Sequence, residues 1–253
     1  VLFAILFLSY EQDDFAAPYA VIAAGQIFTC IFSFLLLTRH ENLRLASLAQ
    51  GFAALRQNWR LCLTEIGFAV SVSFNAILLS LFAPPVMIAA YGIAEKIIRG
   101  CSVFMIALAQ ALYPHFTRMQ QQSALGLRQL LIWAVGSNAV LTIGAWLGIW
   151  LFAPMILPWL AKTDPALALD LTYWQIPALF LFGLQGTVYM HGLLARHDDA
   201  TALRAIFAGM LVYAAAGAAA VILQSVYAVI FAQTASLAAM ILVSLFLQKK
   251  NPA

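Results

Sequence analysis

Charged residues are scarce in this sequence: Asp, Glu, Lys and Arg make up only 9% of 253 residues, whereas 64% are hydrophobic. A soluble domain carries about 25% charged residues and cannot hide this much apolar surface inside one core. The net charge of +3 is small, and the basic residues form no stretch or stripe that would favour nucleic acid as a partner. The chain is therefore predicted to lie in a membrane, surrounded by lipids.

Cysteine and histidine are also sparse. Cys30, Cys62 and Cys101 fall in separate apolar segments without metal-site spacing, and we interpret them as small lipid-facing or core-facing residues. The four histidines are scattered and form no HExxH pair. The sequence therefore predicts no metal site, no cofactor and no catalytic group.

The first residues are an apolar stretch, 1–9, that is too short to cross a bilayer. It has neither the basic leader nor the small-residue cleavage site of a signal peptide. We expect it to be the end of a transmembrane helix whose beginning is missing, so that the chain is a fragment.

Long apolar runs fill the rest of the chain. A transmembrane helix needs about 20 apolar residues, and this pattern predicts an all-α integral membrane protein. Its seven complete transmembrane helices follow the truncated one and cover residues 16–38, 61–82, 86–113, 129–152, 169–194, 201–223 and 226–247. Pro84, Pro85, Pro114 and Pro154 are expected at helix ends, whereas Pro177 is expected to kink the fifth complete span.

The basic residues predict the orientation in the membrane, because cytoplasmic loops carry an excess of Lys and Arg. We place the connection after the first complete span in the cytoplasm. The outer segments then contain a single basic residue, Lys162, and the outer residues 10–18 contain no Lys or Arg. The inner segments hold Arg39, Arg44, Arg56, Arg60, Arg118, Arg128, Arg196, Arg204, Lys249 and Lys250. The sequence thus predicts a multipass protein of the cytoplasmic membrane with a cytoplasmic C-terminus.

The inward connection 39–60 has apolar residues at steps of three and four: Leu45, Leu48, Phe52, Leu55 and Trp59. This pattern predicts an amphipathic helix along the cytoplasmic interface. We interpret it as a linker between the end of an N-terminal bundle, 1–38, and a C-terminal six-helix bundle, 61–253. A regulatory or partner-binding helix is the alternative.

Three charges stand in the middle of the span 86–113. A charge at mid-membrane costs about 2.5–3.5 kcal/mol on insertion scales, so Glu95, Lys96 and Arg99 need a reason to be there. Glu95 and Arg99 are four residues apart and can form an ion pair, whereas Lys96 points elsewhere on the helix. One interpretation is a structural pair with a snorkelling lysine. The favoured hypothesis is that Lys96 and Arg99 line a cavity that attracts an anionic substrate.

Other polar residues are weaker signals. Asn75 could face the same cavity, whereas Glu65 suits the positive dipole at the start of its helix. The acid pair Asp198–Asp199 has no second acidic cluster and predicts no metal-diphosphate site. Interhelical hydrogen bonding is the default explanation for single amides in apolar spans, namely Gln110, Asn138, Gln175 and Gln185.

Three stretches together resemble a known family: Phe-Asn-Ala-Ile-Leu-Leu-Ser at 74–80, Ile-Ala-Ala-Tyr-Gly-Ile-Ala-Glu-Lys at 88–96 and Gln-Ala-Leu-Tyr-Pro at 110–114. They are similar to the start of the second bundle of polysaccharide and O-antigen flippases, in the multidrug/oligosaccharidyl-lipid/polysaccharide exporter superfamily. Tyr91, Ala94 and Lys96 fall in place with the family's spacing. Asn75 stands where many relatives have Asp, and Ser80 replaces a family glycine.

This resemblance implies a two-bundle exporter fold, of which the chain would be the C-terminal two-thirds. It implies a transporter that flips a polyprenyl-pyrophosphate-linked oligosaccharide to the outer leaflet by alternating access, for O-antigen, exopolysaccharide or capsule synthesis. The implied cavity residues are Lys96, Arg99, Glu95, Tyr91 and Asn75. A proton or sodium gradient is the candidate driving force, and a polysaccharide polymerase is a candidate partner.

Other functions stay open at this point. A small-molecule or drug antiporter of the same superfamily would favour a membrane acid, and the peptidoglycan lipid-precursor flippases are close relatives. A membrane polymerase or ligase would be expected to have a large, basic outer loop, which the predicted topology lacks. A membrane scaffold would leave Glu95, Lys96 and Arg99 unexplained.

Overall fold

The computed structural model describes residues 16–40, 47–122, 124–160, 164–193 and 198–250. Within these ranges the chain is helical and contains no strand, which confirms the predicted all-α class. The chain divides into two compact units, Val1–Gln57 and Asn58–Ala253. The expected truncated helix, 1–9, lies outside the described residues.

The first unit contains helices α1 (Ala16–His40) and α2 (Leu48–Gln57). The helix α2 begins with a capping box, in which the Ser47 N–H donates to Gln50 Oε1 (2.9 Å) and the Gln50 N–H donates to Ser47 Oγ (3.3 Å). This helix is shorter than the predicted linker 39–60, since it ends at Gln57. Its apolar side chains Leu48, Phe52 and Leu55 are exposed, and Leu45 lies outside the described residues.

The second unit, Asn58–Ala253, is called the bundle below. It contains α3 (Trp59–Ser73), α4 (Asn75–Ser80), α5 (Pro85–Gln122), α6 (Ala124–Leu160), α7 (Pro165–Thr187), a π-helical segment (Val188–Leu193), α8 (Asp199–Ile222) and α9 (Val226–Lys250). Six stretches of the described residues are long and apolar enough to cross a membrane, all of them in this unit. The chain is thus consistent with a multipass membrane protein. In α1 the apolar stretch is the shorter Ala23–Leu36, and the count of seven stays a prediction.

Two predicted helix ends are wrong. Pro114 lies inside α5 and Pro154 lies inside α6, so both helices continue past these prolines. The 38 residues of α5 give a length of about 57 Å, well beyond the roughly 30 Å hydrocarbon layer. Water can therefore hydrate the carbonyl that Pro114 leaves without a partner. Pro85 begins α5, as predicted, and Pro177 lies within α7, where the kink stays a prediction.

The predicted span 61–82 is interrupted once. Phe74 separates α3 from α4 with φ −77° and ψ −13°, although its N–H still bonds to the Val70 carbonyl. The next residue, Asn75, is fully buried and bonds to other helices. A polar side chain thus enters the core directly after the interruption.

Helix α7 lies against α5, α6 and α9, and α8 packs along α9 and α3. Close approach of α8 to α9 depends on Gly209, because a Cβ there would lie 2.4 Å from Met240 Cγ. The Ser236 hydroxyl donates to the Gly209 carbonyl at the same crossing (2.9 Å). Small residues and a hydroxyl therefore hold these two helices together.

Because the connections between successive helices are short, the two helix ends that each connection joins lie at the same end of the bundle. The start of α3 and the starts of α6 and α8 form one end of the bundle, called the Trp59 end. The end of α4 and the starts of α5, α7 and α9 form the other, called the Ser80 end. Depth within the bundle is described below relative to these two ends.

Candidate functional site

The three predicted charges lie about a third of the way along the apolar helix α5, as its residues 11, 12 and 15. At 1.5 Å per residue, Glu95 is about 15 Å along α5 from Pro85. That distance is half of a hydrocarbon layer about 30 Å thick. The span Pro85–Arg118 is apolar enough to cross a membrane, and with Pro85 at the edge of the hydrocarbon layer these charges would lie near its middle.

Glu95 and Arg99 form an ion pair. Arg99 Nη2 and Nε donate to the same carboxylate oxygen, Glu95 Oε1, at 2.7 and 3.1 Å. The Glu95 side chain is 18% exposed, whereas that of Arg99 is 48% exposed. The pair therefore stands at the rim of the bundle, with the carboxylate inside and the guanidinium reaching outward.

Lys96 lies on the exposed side of α5. It makes no ion pair or hydrogen bond with any residue that the structure describes. Gly92 and Gly100 stand one turn before and after it, and nothing lies within 4 Å of a Cβ built at either position. The surface around Lys96 is thus open, and a ligand could approach the ammonium group closely.

Asn75 connects three helices. Its Nδ2 donates to Gln233 Oε1 on α9 (2.8 Å), and its Oδ1 accepts a hydrogen bond from the Tyr213 hydroxyl on α8. The side chain is 0% exposed, so its amide has no access to water. Asn75 therefore orders the core behind the charges instead of facing an open cavity.

Tyr91 is also buried, with 1% of its surface exposed. Its hydroxyl has no hydrogen-bond partner among the described residues. The groups that influence it electrostatically are Glu95, Tyr213, Asn75 and Arg99. Tyr91 thus lies near both the ion pair and the buried amide network, without a hydrogen bond to either.

A narrow cleft of about 30 Å³ lies beside Glu95 and Arg99. Since a water needs at least about 10–15 Å³ of such volume, the cleft has room for one or two waters and none for a sugar. Polar side chains supply much of its lining, namely Glu95, Arg99, Ser102, Gln175 and Gln233. The Gln175 Nε2 atom is buried without a partner, which leaves a donor for such a water.

The structure thus brings together Asn75, Tyr91, Glu95 and Arg99, and places Lys96 beside them on the exposed face. Reasoning from the sequence missed Tyr213 and Gln233. The signal for Gln233 was available, since it is an uncharged amide inside the largely apolar span Val226–Gln248. Tyr213 carried no comparable signal, because a tyrosine in an apolar helix is commonly a packing residue.

The remaining polar residues have separate roles. The Asn138 Nδ2 donates to the Phe180 carbonyl (3.4 Å), an interhelical bond of the predicted kind. Asp198 caps α8 by accepting from the Thr201 N–H (3.1 Å). No group of three metal-ligating side chains occurs among the described residues.

Comparison of the chain with protein-family models, with curated proteins and with solved structures gives no match.

Proposed function

We propose that this protein is a membrane transporter that flips a polyprenyl-pyrophosphate-linked oligosaccharide from the cytoplasmic to the outer leaflet. The observation that carries the proposal is Lys96, an exposed cation without a described partner, about a third of the way along a helix that is apolar enough to cross a membrane. A cation at this depth usually faces a bundle interior or a water-filled cavity. The resemblance of residues 74–114 to polysaccharide flippases supports the same function.

The local charge favours an anionic substrate. Glu95 contributes one negative charge, and Lys96 and Arg99 contribute one positive charge each, which leaves a net charge of +1. The ion pair accounts for Glu95 and part of the hydrogen-bonding capacity of Arg99. The Lys96 ammonium group is then available for a phosphate oxygen, for which lysine serves as a compact point charge.

The size of the cleft decides where the substrate would bind. The cleft behind the ion pair has a volume of about 30 Å³ and cannot hold a sugar. The pyrophosphate would instead contact Lys96 and Arg99 from the exposed side of α5, beside the uncrowded Gly92 and Gly100. The buried Asn75 network would hold α4, α8 and α9 together behind this face.

The orientation, transport mechanism, driving force and partner that we propose are those that the resemblance to the flippase family implies. The protein would be oriented with its C-terminus in the cytoplasm and would use two rocking bundles, with the polyprenyl tail remaining in lipid. The polymers supplied would be O-antigen, exopolysaccharide or capsule. A proton or sodium gradient is the proposed driving force, and a polysaccharide polymerase is the proposed partner.

A binding experiment tests the anionic specificity. Purified protein in detergent is titrated with polyprenyl pyrophosphate and with the uncharged polyprenyl alcohol of the same length. The pyrophosphate should bind at least tenfold more tightly, and Lys96→Ala should remove most of that preference. Arg118→Ala is the matched control, because this exposed cation lies at the far end of the span Pro85–Arg118.

Arg99→Ala is a less informative variant because it leaves Glu95 in the membrane without its ion-pair partner. Equal binding of the alcohol and the pyrophosphate by the wild type would refute the proposed substrate class. An unchanged preference in Lys96→Ala would show that the ammonium group does not contact the substrate.

A further inference from the structure

Three side chains form a cluster at the Ser80 end of the bundle. Asp170 and Trp174 lie on α7, and Tyr227 lies at the start of α9. The Tyr227 hydroxyl donates to Asp170 Oδ2 at 2.6 Å. The rings of Trp174 and Tyr227 meet edge to face, with centroids 5.6 Å apart and planes at 63°. These three residues are called the Trp174 cluster below.

The Trp174 cluster lies at the level where α9 begins. Tyr227 is the second residue of α9, whereas Asp170 is the sixth residue of α7. The hydrogen bond between them therefore places Asp170 at the end of the bundle, although α7 has by then made more than one turn. Trp174 is 57% exposed and Tyr227 is 42% exposed, so a molecule outside the bundle can reach both rings.

The cluster has unused hydrogen-bonding capacity. Asp170 Oδ1 accepts no hydrogen bond from a described residue, and no cation that the structure describes lies within ion-pair distance of this carboxylate. The indole N–H of Trp174 likewise has no acceptor in the described part of the chain. Because Asp170 and Trp174 are four residues apart, their side chains lie on the same face of α7. The cluster thus presents a charged acceptor, a donor and an aromatic ring side by side.

A carbohydrate matches this combination of groups. Each sugar hydroxyl both donates and accepts hydrogen bonds, so neighbouring hydroxyls can use the carboxylate oxygen and the indole N–H together. The C–H groups on one face of a sugar carry partial positive charge and pack on the negative face of an aromatic ring. An organic cation would use the carboxylate and the rings but would give the indole N–H no acceptor. The donor therefore favours a sugar.

Tryptophan and tyrosine also anchor helices at membrane surfaces. Anchoring requires no carboxylate, and here the Tyr227 hydroxyl is directed to Asp170. Trp159 provides the comparison, since it is 85% exposed near the end of α6, at the same end of the bundle, and forms no ring contact or hydrogen bond with a described residue. Trp159 has the surroundings of an anchor, whereas Trp174 is held beside a carboxylate.

We propose that the Trp174 cluster binds the glycan part of the transported lipid. The indole ring of Trp174 would pack against one face of a sugar, and Asp170 Oδ1 would accept a hydrogen bond from one of its hydroxyls. Tyr227 is a positioning residue, because its hydroxyl holds the carboxylate through Oδ2. The sugar at this position is uncharged, since a carboxylate without a described cation repels a sugar acid.

The source of the glycan rests on the proposed function, whereas the binding of a sugar does not. Lys96 is the twelfth residue of α5, about 17 Å along the helix from Pro85 at the Ser80 end. The pyrophosphate site and the Trp174 cluster therefore differ in depth. In the orientation that the basic residues predict, the Ser80 end is the outer one, and the cluster would hold the glycan on the side to which it is delivered.

The test measures sugar binding to the full chain without any lipid. The protein, purified in a detergent that has no sugar head group, is titrated with labelled trisaccharides of glucose, galactose, mannose, N-acetylglucosamine and galacturonic acid. At least one neutral trisaccharide should bind, and the acidic one should bind at least tenfold more weakly. Trp174→Ala should weaken binding of the neutral sugar at least tenfold, and Trp174→Phe should restore most of it. Tyr227→Phe should weaken it by a few fold, because the carboxylate loses its orienting bond.

Trp159→Ala is the matched control, since it removes an exposed tryptophan from the same end of the bundle. It should leave sugar binding unchanged. Lys96→Ala should also leave it unchanged, which keeps this result distinct from the test of the flippase. Absence of binding for all the neutral trisaccharides would overturn the proposal, and binding of choline alone would identify a cation site instead. Undiminished binding in Trp174→Ala, or an equal loss in Trp159→Ala, would also overturn it.

Discussion

Replacing Asn75 with alanine is expected to lower the free energy of unfolding by about 1–3 kcal/mol. The side chain makes two interhelical hydrogen bonds, to Gln233 on α9 and from Tyr213 on α8, and is 0% exposed. Interhelical hydrogen bonds in membrane proteins average about 0.6 kcal/mol and reach about 1.7 kcal/mol. Two such bonds give the expected range, and the small cavity left by alanine adds to it.

A double-mutant cycle isolates the amide–amide bond. Asn75→Ala, Gln233→Ala and the double variant are unfolded with a denaturing detergent, and helical circular dichroism reports the folded fraction. The coupling energy between the two positions should be about 0.6–1.7 kcal/mol, because each single change removes the same bond. Ser80→Ala is the control, since its hydroxyl bonds only to the Ile77 carbonyl of its own helix.

Additive effects of the two alanine changes would refute this reasoning. They would mean that Asn75 and Gln233 do not act as a pair and that α4 is held in place by apolar packing. A destabilisation by Ser80→Ala as large as that by Asn75→Ala would also count against the network.

Two further changes test the packing and capping of the bundle, with the same unfolding assay. Gly209→Ala should destabilise by about 1–2 kcal/mol because its Cβ would lie 2.4 Å from Met240, whereas Gly144→Ala meets nothing within 4 Å and should not destabilise. Equal losses from the two changes would contradict the close approach at Gly209. Asp164→Ala should cost about 1 kcal/mol through loss of its N-cap bond to the Leu167 N–H, and an unchanged stability would show that the cap is not needed.

The helices of this protein were largely predictable from the sequence. Long apolar runs predicted the α-helical class, and Pro85 and Pro177 lie where their chemistry indicated. The prediction that Pro114 ends a helix was wrong. A proline near the surface of a membrane removes only one backbone hydrogen bond of the helix, and water can replace that bond. Helix ends of this kind depend on solvent, which the local sequence does not specify.

The candidate site was predictable only in part. Helical spacing alone indicated the Glu95–Arg99 pair, since residues four apart share a face. The contact of Asn75 with Gln233 and Tyr213 depends on how α4, α8 and α9 are rotated against one another. The hydrogen bond from the Tyr189 hydroxyl to Glu65 depends in addition on the π-helical segment Val188–Leu193, which no sequence pattern indicates.

The central claim is that Lys96 contacts an anionic lipid-linked substrate during transport. The most direct measurement reconstitutes the intact protein in vesicles and follows a labelled polyprenyl-pyrophosphate oligosaccharide from one leaflet to the other. The wild type and Arg118→Ala should move the lipid, and Lys96→Ala should lose most of that movement while remaining folded. Undiminished movement in Lys96→Ala, or none in the wild type, would contradict the account.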